Sequence, residues 1–129
     1  MKPQQEAERF LTLAFADRDA AVALGNIEAI HPNIICFHAQ QAVEKALKAV
    51  LLIRQIPVHR THDLSECAYQ IQDLGLLMPV PVEVIAKLTP YAVTGRYEAI
   101  VDEIVSIDEA IGMMIQVTTW ASSIVTPEK

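Results

Sequence analysis

Apolar positions along the chain recur at alternating intervals of three and four residues, the spacing that gathers them on one face of a helix with 3.6 residues per turn. Proline and glycine cut this pattern into segments, because proline breaks helix interiors and glycine commonly closes helix ends. Pro3, Gly25, Pro32, Pro57, Gly75, Pro79, Pro81, Pro90 and Gly95 fall between periodic stretches, and Gly112 lies inside one. The first predicted helix runs from Gln4 to Leu24, with Phe10, Leu11, Leu13, Phe15, Val22 and Leu24 on a broad apolar face and Asp17, Arg18 and Asp19 turned outward; Gly25 and Asn26 end it. The second opens at Pro32, a residue suited to the first helical position, and continues to about Arg54. Its stripe of Cys36, Ala39, Val43, Ala46, Val50 and Ile53 has to meet another helix.

A third helix starts at Thr61 or Asp63, where Asp63 and Glu66 have the spacing of a capping box, and ends at Gly75. A short segment from Val82 to Leu88 lies between proline-marked turns. The last long helix is predicted to begin around Tyr97, with Ile100, Ile104, Ile107, Ile111 and Met114 on one stripe and Val101, Val105, Gly112 and Ile115 beside it. A face that wide serves a core and a partner subunit together.

These segments predict an all-α protein, an up-and-down bundle of four long helices plus a short extra helix. With 129 residues and no internal repeat or linker, residues 1–129 read as a single domain with one core. A hydrophobic content of 52% excludes a disordered chain, and 5% aromatic residues with four glycines argue against a turn-rich β-sandwich. The opening MKPQQEAERF has no apolar signal-peptide core, and Cys36 and Cys67 make no CxxC, so a cytoplasmic location is expected. The uncharged stretch from Ala110 to Pro127 carries Gly112, Gln116, Thr118, Thr119, Ser122 and Ser123. A spanning helix needs about 20 mostly apolar residues, so this stretch reads as a buried or dimer-forming helix, with no membrane.

Opposite the core stripe of the second helix stand His38, Gln41, Lys45 and Lys48, with Glu44 alongside. Two readings are open. The face either receives an anionic ligand such as a nucleotide phosphate, or is a solvated surface on which Glu44 and Lys48 form an ordinary i,i+4 pair. A net charge of −6 disfavours indiscriminate binding along duplex nucleic acid. Yet no acid falls between Glu44 and Asp63, where Lys45, Lys48, Arg54, His59, Arg60 and His62 cluster, while Glu98, Asp102, Glu103, Asp108 and Glu109 crowd the last third. Arg54, His59 and His62 are the candidate catalytic residues of an RNA-cleaving reaction, with histidine as general base and arginine stabilising the phosphorane. No metal site is expected: Cys36 and His38 do not share a helix face, and His59 and His62 lack a third and fourth ligand. Cys36 lies on the core stripe, where cysteine behaves as a small hydrophobe.

The run from Phe37 to Ala49 (FHAQQAVEKALKA), then Thr61-His62-Asp63-Leu64, then Gly95-Arg96-Tyr97, resembles the HEPN domain family, named for higher eukaryotes and prokaryotes nucleotide-binding. The resemblance spans nearly the whole chain. It implies four or five helices, usually a homodimer, often encoded in prokaryotes beside a small nucleotidyltransferase as a toxin–antitoxin pair. It also implies that Gln41, Glu44, Lys45, Lys48, His62, Asp63, Arg96 and Tyr97, joined by His38 from the polar stripe, line a ligand-binding pocket. Similar members usually carry proline after the Arg-Tyr pair, whereas this chain reads Arg96-Tyr97-Glu98-Ala99. Ribonuclease branches of the family carry an arginine, four to six intervening residues and then a histidine at the start of the final helix, and no histidine follows Arg96. The resemblance therefore implies a nucleotide- or RNA-end-binding component acting with a nucleotidyltransferase, without a cofactor and without catalysis of its own. The alternatives are a metal-independent RNA-cleaving toxin and a purely structural dimerisation module.

Overall fold

The computed structural model describes residues 2–93 and 104–127. Among them the chain forms α1 (Pro3–Gly25), α2 (Pro32–Ile53), α3 (Leu64–Asp73), α4 (Val82–Ile85), a 3-10 segment (Ala86–Val93) and α5 (Ile107–Val125). The all-α bundle read from the sequence is thus present, with three long helices, a ten-residue α3 and a single-turn α4.

Helix ends follow local chemistry. Pro3 and Pro32 open α1 and α2, and the His31 ring caps α2 by accepting from the Asn33 amide at 3.0 Å. Asp63 caps α3 by accepting from the Ser65 amide at 3.0 Å. The capping box expected between Asp63 and Glu66 is not made, because Glu66 is drawn instead to His59 at 2.6 Å. A capping box does form at α5: the Glu109 amide donates to Ser106 Oγ at 3.1 Å and the Ser106 amide to Glu109 Oε1 at 3.3 Å. This corrects the start of the last helix, predicted around Tyr97, to Ile107. Ile104 and Val105 lie outside the helix; the Ile104 amide donates to the buried Tyr91 hydroxyl at 3.2 Å. The apolar rhythm continued through Ser106, but the serine ends the run by satisfying the first free amides of α5. Ile100 and Val101, placed on the same stripes, lie outside the described residues.

Helix α2 is the axis of the bundle. It packs against α1, α5, α3 and the 3-10 segment, and α1 and α5 also meet each other. The stripe from Cys36 to Val50 is buried as predicted, with Ile53 packed at its edge. The face of α1 differs from expectation: its buried positions are Ala7, Leu11, Ala14 and Ala21, whereas Leu13 and Val22 are exposed and Phe10 and Phe15 only partly covered. Small side chains let α1 lie close to α2, and the larger apolar residues flank that seam. Arg18 falls at the spacing of the buried α1 positions, so it does not face out as predicted; its Nη1 donates to Thr118 Oγ1 at 2.9 Å and Thr119 Oγ1 at 3.0 Å on α5. The guanidinium lies 5.1 Å from the centre of the Phe15 ring. Helix α5 buries Ala110, Met113, Met114, Val117, Thr118, Ala121 and Val125, leaving Gly112 and Ile115 of the predicted second stripe exposed. Gly25 makes room for this helix, since a Cβ there would meet Ile111 Cδ1 at 3.0 Å. Among the described residues no helix is long and apolar enough to cross a membrane.

Helices α2 and α3 share a way of stopping. After α2 the Gln55 amide donates to the Leu52 carbonyl and the Ile56 amide to the Leu51 carbonyl, both at 2.9 Å, a Schellman turn with Gln55 at φ 58°. After α3, Gly75 holds the equivalent position at φ 79°, its amide donating to the Gln72 carbonyl. A left-handed conformation costs a side chain about 1–2 kcal/mol that glycine avoids. Gln55→Gly is therefore expected to raise stability by about 1 kcal/mol and the melting temperature by a few degrees, and Gly75→Ala to lower them by a similar amount. Thermal unfolding followed by circular dichroism checks both signs.

Candidate functional site

Because α2 is surrounded, Glu44 and Lys48 of the polar face predicted opposite its core stripe are buried, together with Gln40, while His38, Gln41 and Lys45 stay partly exposed. Buried charges persist only when paired and hydrogen-bonded. Glu44 Oε1 accepts from Gln40 Nε2 at 2.9 Å and from His62 Nδ1 at 2.8 Å, while Oε2 accepts from Lys48 Nζ at 3.0 Å. Lys48 Nζ also donates to the Thr61 carbonyl at 2.8 Å, which fastens the connection before α3 to the middle of α2. Gln41 Nε2 donates to Gln40 Oε1 at 2.7 Å and extends the chain of bonds by one residue. The Glu44 and Lys48 side chains retain only 7% and 10% of their surface, whereas His62 is 62% exposed. The network is therefore a buried charged base beneath an accessible imidazole.

Burial pushes the Glu44 carboxyl up, but the hydrogen bonds from Gln40, His62 and Lys48, with the Lys48 charge, more than offset it and hold the group below the ordinary 4.5. A carboxylate only accepts hydrogen bonds, so the His62 proton sits on Nδ1 and Nε2 points away from the network. Cys67 lies in the same field; burial pushes its thiol up to about 11, with Lys48 opposing and Glu44, Glu66 and Asp63 adding to the rise.

A second unit repeats the arrangement between helices. Asp17 of α1, predicted to face outward, takes His38 Nδ1 on Oδ1 at 3.0 Å and Lys45 Nζ on Oδ2 at 2.5 Å. Each of the two lysines thus shares one carboxylate with one histidine. Asp63, next to His62, spends its side chain on Ser65. Arg54 is exposed at the C-cap of α2 and His59 is bound to Glu66, and among the described residues nothing joins them. Arg96 and Tyr97 lie outside the described residues. Open clefts occur elsewhere, one of about 730 Å³ along Phe15, Arg18 and Thr119, another of about 490 Å³ along Val80, Val84 and Met113. Among the described residues no group of three or more His, Cys, Asp or Glu is arranged to hold a metal ion.

The buried Gln40-Glu44-Lys48 ladder and the Thr61-His62-Asp63 turn docked on it fall within residues 7–124, which match the family model of the HEPN domain. The chain belongs to the HEPN domain family. Its fold is similar to the crystal structure of an archaeal HEPN homologue, with a TM-score of 0.67 at 22% identity over 98% of this chain and 100% of that one. No curated protein matches the chain.

In this HEPN domain the structure brings together Gln41, Glu44, Lys48 and His62 of the predicted site in one network, and His38 with Lys45 in a second. Two members were missed by the sequence reading. Gln40 carries a signal, since Gln40, Glu44 and Lys48 form an i,i+4 ladder. Asp17 carries none, because its pairing depends on how α1 and α2 are set side by side.

Replacing Glu44 by glutamine leaves the Lys48 ammonium buried without its countercharge, a change expected to cost about 3 kcal/mol at pH 7. A carboxyl held below its ordinary value stabilises the fold above about pH 4.5, and this contribution disappears as the pH falls through the lower folded value. The gap between wild type and Glu44→Gln is thus expected to shrink steadily under increasingly acid conditions. Urea unfolding at a series of pH values measures it, and a constant gap would contradict the pairing.

Proposed function

We propose that this HEPN domain binds the phosphate of a nucleotide or RNA end on the polar face of α2 and acts with a nucleotidyltransferase partner as a homodimer, without cleaving its ligand. The observation that carries the reading is the accessible His62 imidazole held by the buried Glu44, with a second lysine–histidine pair, the partly exposed Lys45 and His38, on the adjoining face of α2. A donor group held by a buried network is preorganised, so little ordering remains to be done when a ligand arrives. Lysine supplies point charge towards phosphate and Gln41 an orienting amide. The neutralising carboxylates keep the site from acting as a general polyanion surface, in keeping with a net charge of −6.

A second reading has its own support. His62 with its Nδ1 proton held by Glu44 is oriented as a general base is oriented by a carboxylate in hydrolytic sites, with Nε2 outward. This favours His62 over the Arg54 and His59 pair as the base of a metal-independent RNA-cleaving reaction.

Calorimetric titration with ATP and with a 5′-phosphorylated oligoribonucleotide tests the binding reading. Lys45→Ala and His62→Ala are expected to weaken binding about tenfold each while the protein stays folded. Unchanged affinity in both variants would remove the site. RNA degradation in EDTA that stops on His62→Ala would favour the cleaving reading instead.

A further inference from the structure

We infer that Asp17 is a built-in competitor for the anion site, a carboxylate from α1 that occupies His38 and Lys45 and must swing away before a phosphate can take them; this rests on the binding reading above. Asp17 presents two oxygens to two donors, 3.0 Å to His38 Nδ1 and 2.5 Å to Lys45 Nζ, which is the contact pattern a phosphate would make with the same pair.

The two lysine units differ in whether they can open. Lys48 is clamped by Glu44 and the Thr61 carbonyl and is almost wholly covered, so no ligand reaches it without breaking the α2 to α3 connection. Asp17, His38 and Lys45 keep 15%, 28% and 25% of their side-chain surface, so solvent and ligand can reach the contact. These side chains are mostly covered, so the pair is held more firmly than a fully exposed one, and displacing it lowers the affinity of any incoming anion by a common factor of about tenfold. Since the carboxylate comes from α1 and both donors from α2, an anion that displaces it removes a polar link between the two helices. Occupancy of the site is thereby coupled to the exposed flank of α1.

The test is titration of wild type and Asp17→Asn with AMP, using melting temperature to confirm that the variant is folded and Asp17→Ser as a second replacement. Asparagine keeps the shape and an acceptor for His38 but removes the competing charge. The expected result is about tenfold tighter AMP binding by Asp17→Asn, reversed when Lys45→Ala is added. Equal or weaker binding by both Asp17 variants, with wild-type binding that depends on Lys45, overturns the competitor role and leaves the site standing. Absence of Lys45-dependent AMP binding in wild type and variants alike overturns the site itself and the competitor with it.

Discussion

Glu44 sits on the helix that α1, α3, α5 and the 3-10 segment all pack against, and an ionised carboxylate at such a place must be matched on every side. Its partners come from two directions. Gln40 and Lys48 stand one turn away on the same helix, while His62 arrives from the loop that leads into α3. Lys48 then reaches the Thr61 carbonyl, so the charge requirement of one carboxylate fixes where that loop can lie. Asp63 caps α3 directly afterwards, and the position of α3 follows from the same contact.

The remaining packing depends on α2 as well, through size instead of charge. Alanines at 7, 14 and 21 of α1 are buried, as are Ala39, Ala42, Ala46 and Ala49 of α2, and small side chains on both helices permit a close seam where the two pack. Polar contacts close the seam at its edges: Asp17 on the α2 side, Arg18 on the α5 side. Two adjacent charged residues of α1 thus bind to two different helices, which sets the rotation of α1 about its own axis. A lysine and a histidine around one carboxylate appear at both polar sites, one with its carboxylate and lysine sealed beneath an exposed histidine, the other partly covered throughout.

Much of this was legible in the sequence. Prolines and glycines marked the helix boundaries because their backbone chemistry acts locally, and the α2 stripe was readable because one helix carries its whole period. The family resemblance set the polar residues of α2 beside the Thr61-His62-Asp63 turn; Glu44 and Lys48 do meet Thr61 and His62, while His38 and Lys45 pair with Asp17 instead. What was hidden depends on more than one helix. Leu13 and Val22 looked like core by composition, yet alanines took those contacts because interhelical distance, not hydrophobicity alone, selects the seam. Asp17 and Arg18 looked solvated because nothing in the local pattern reveals a partner 28 or 100 residues away. Ser106 and Glu109 have the spacing of a capping box, but the isoleucine rhythm running through them points to one longer helix.

Buried Glu44 fixes the accessible His62 ring, and the tautomer of that ring reports the contact. Long-range proton–nitrogen correlation spectra of the neutral imidazole, at a pH above its titration, distinguish a proton on Nδ1 from one on Nε2. Neutral His62 is expected to carry its proton on Nδ1 in the wild type and to revert towards the Nε2 form preferred by free histidine when Glu44 is replaced by alanine. A wild-type His62 protonated mainly on Nε2 would contradict this, because Nδ1 could then donate no hydrogen bond to Glu44 and the base of the candidate site would be unconnected to its exposed group.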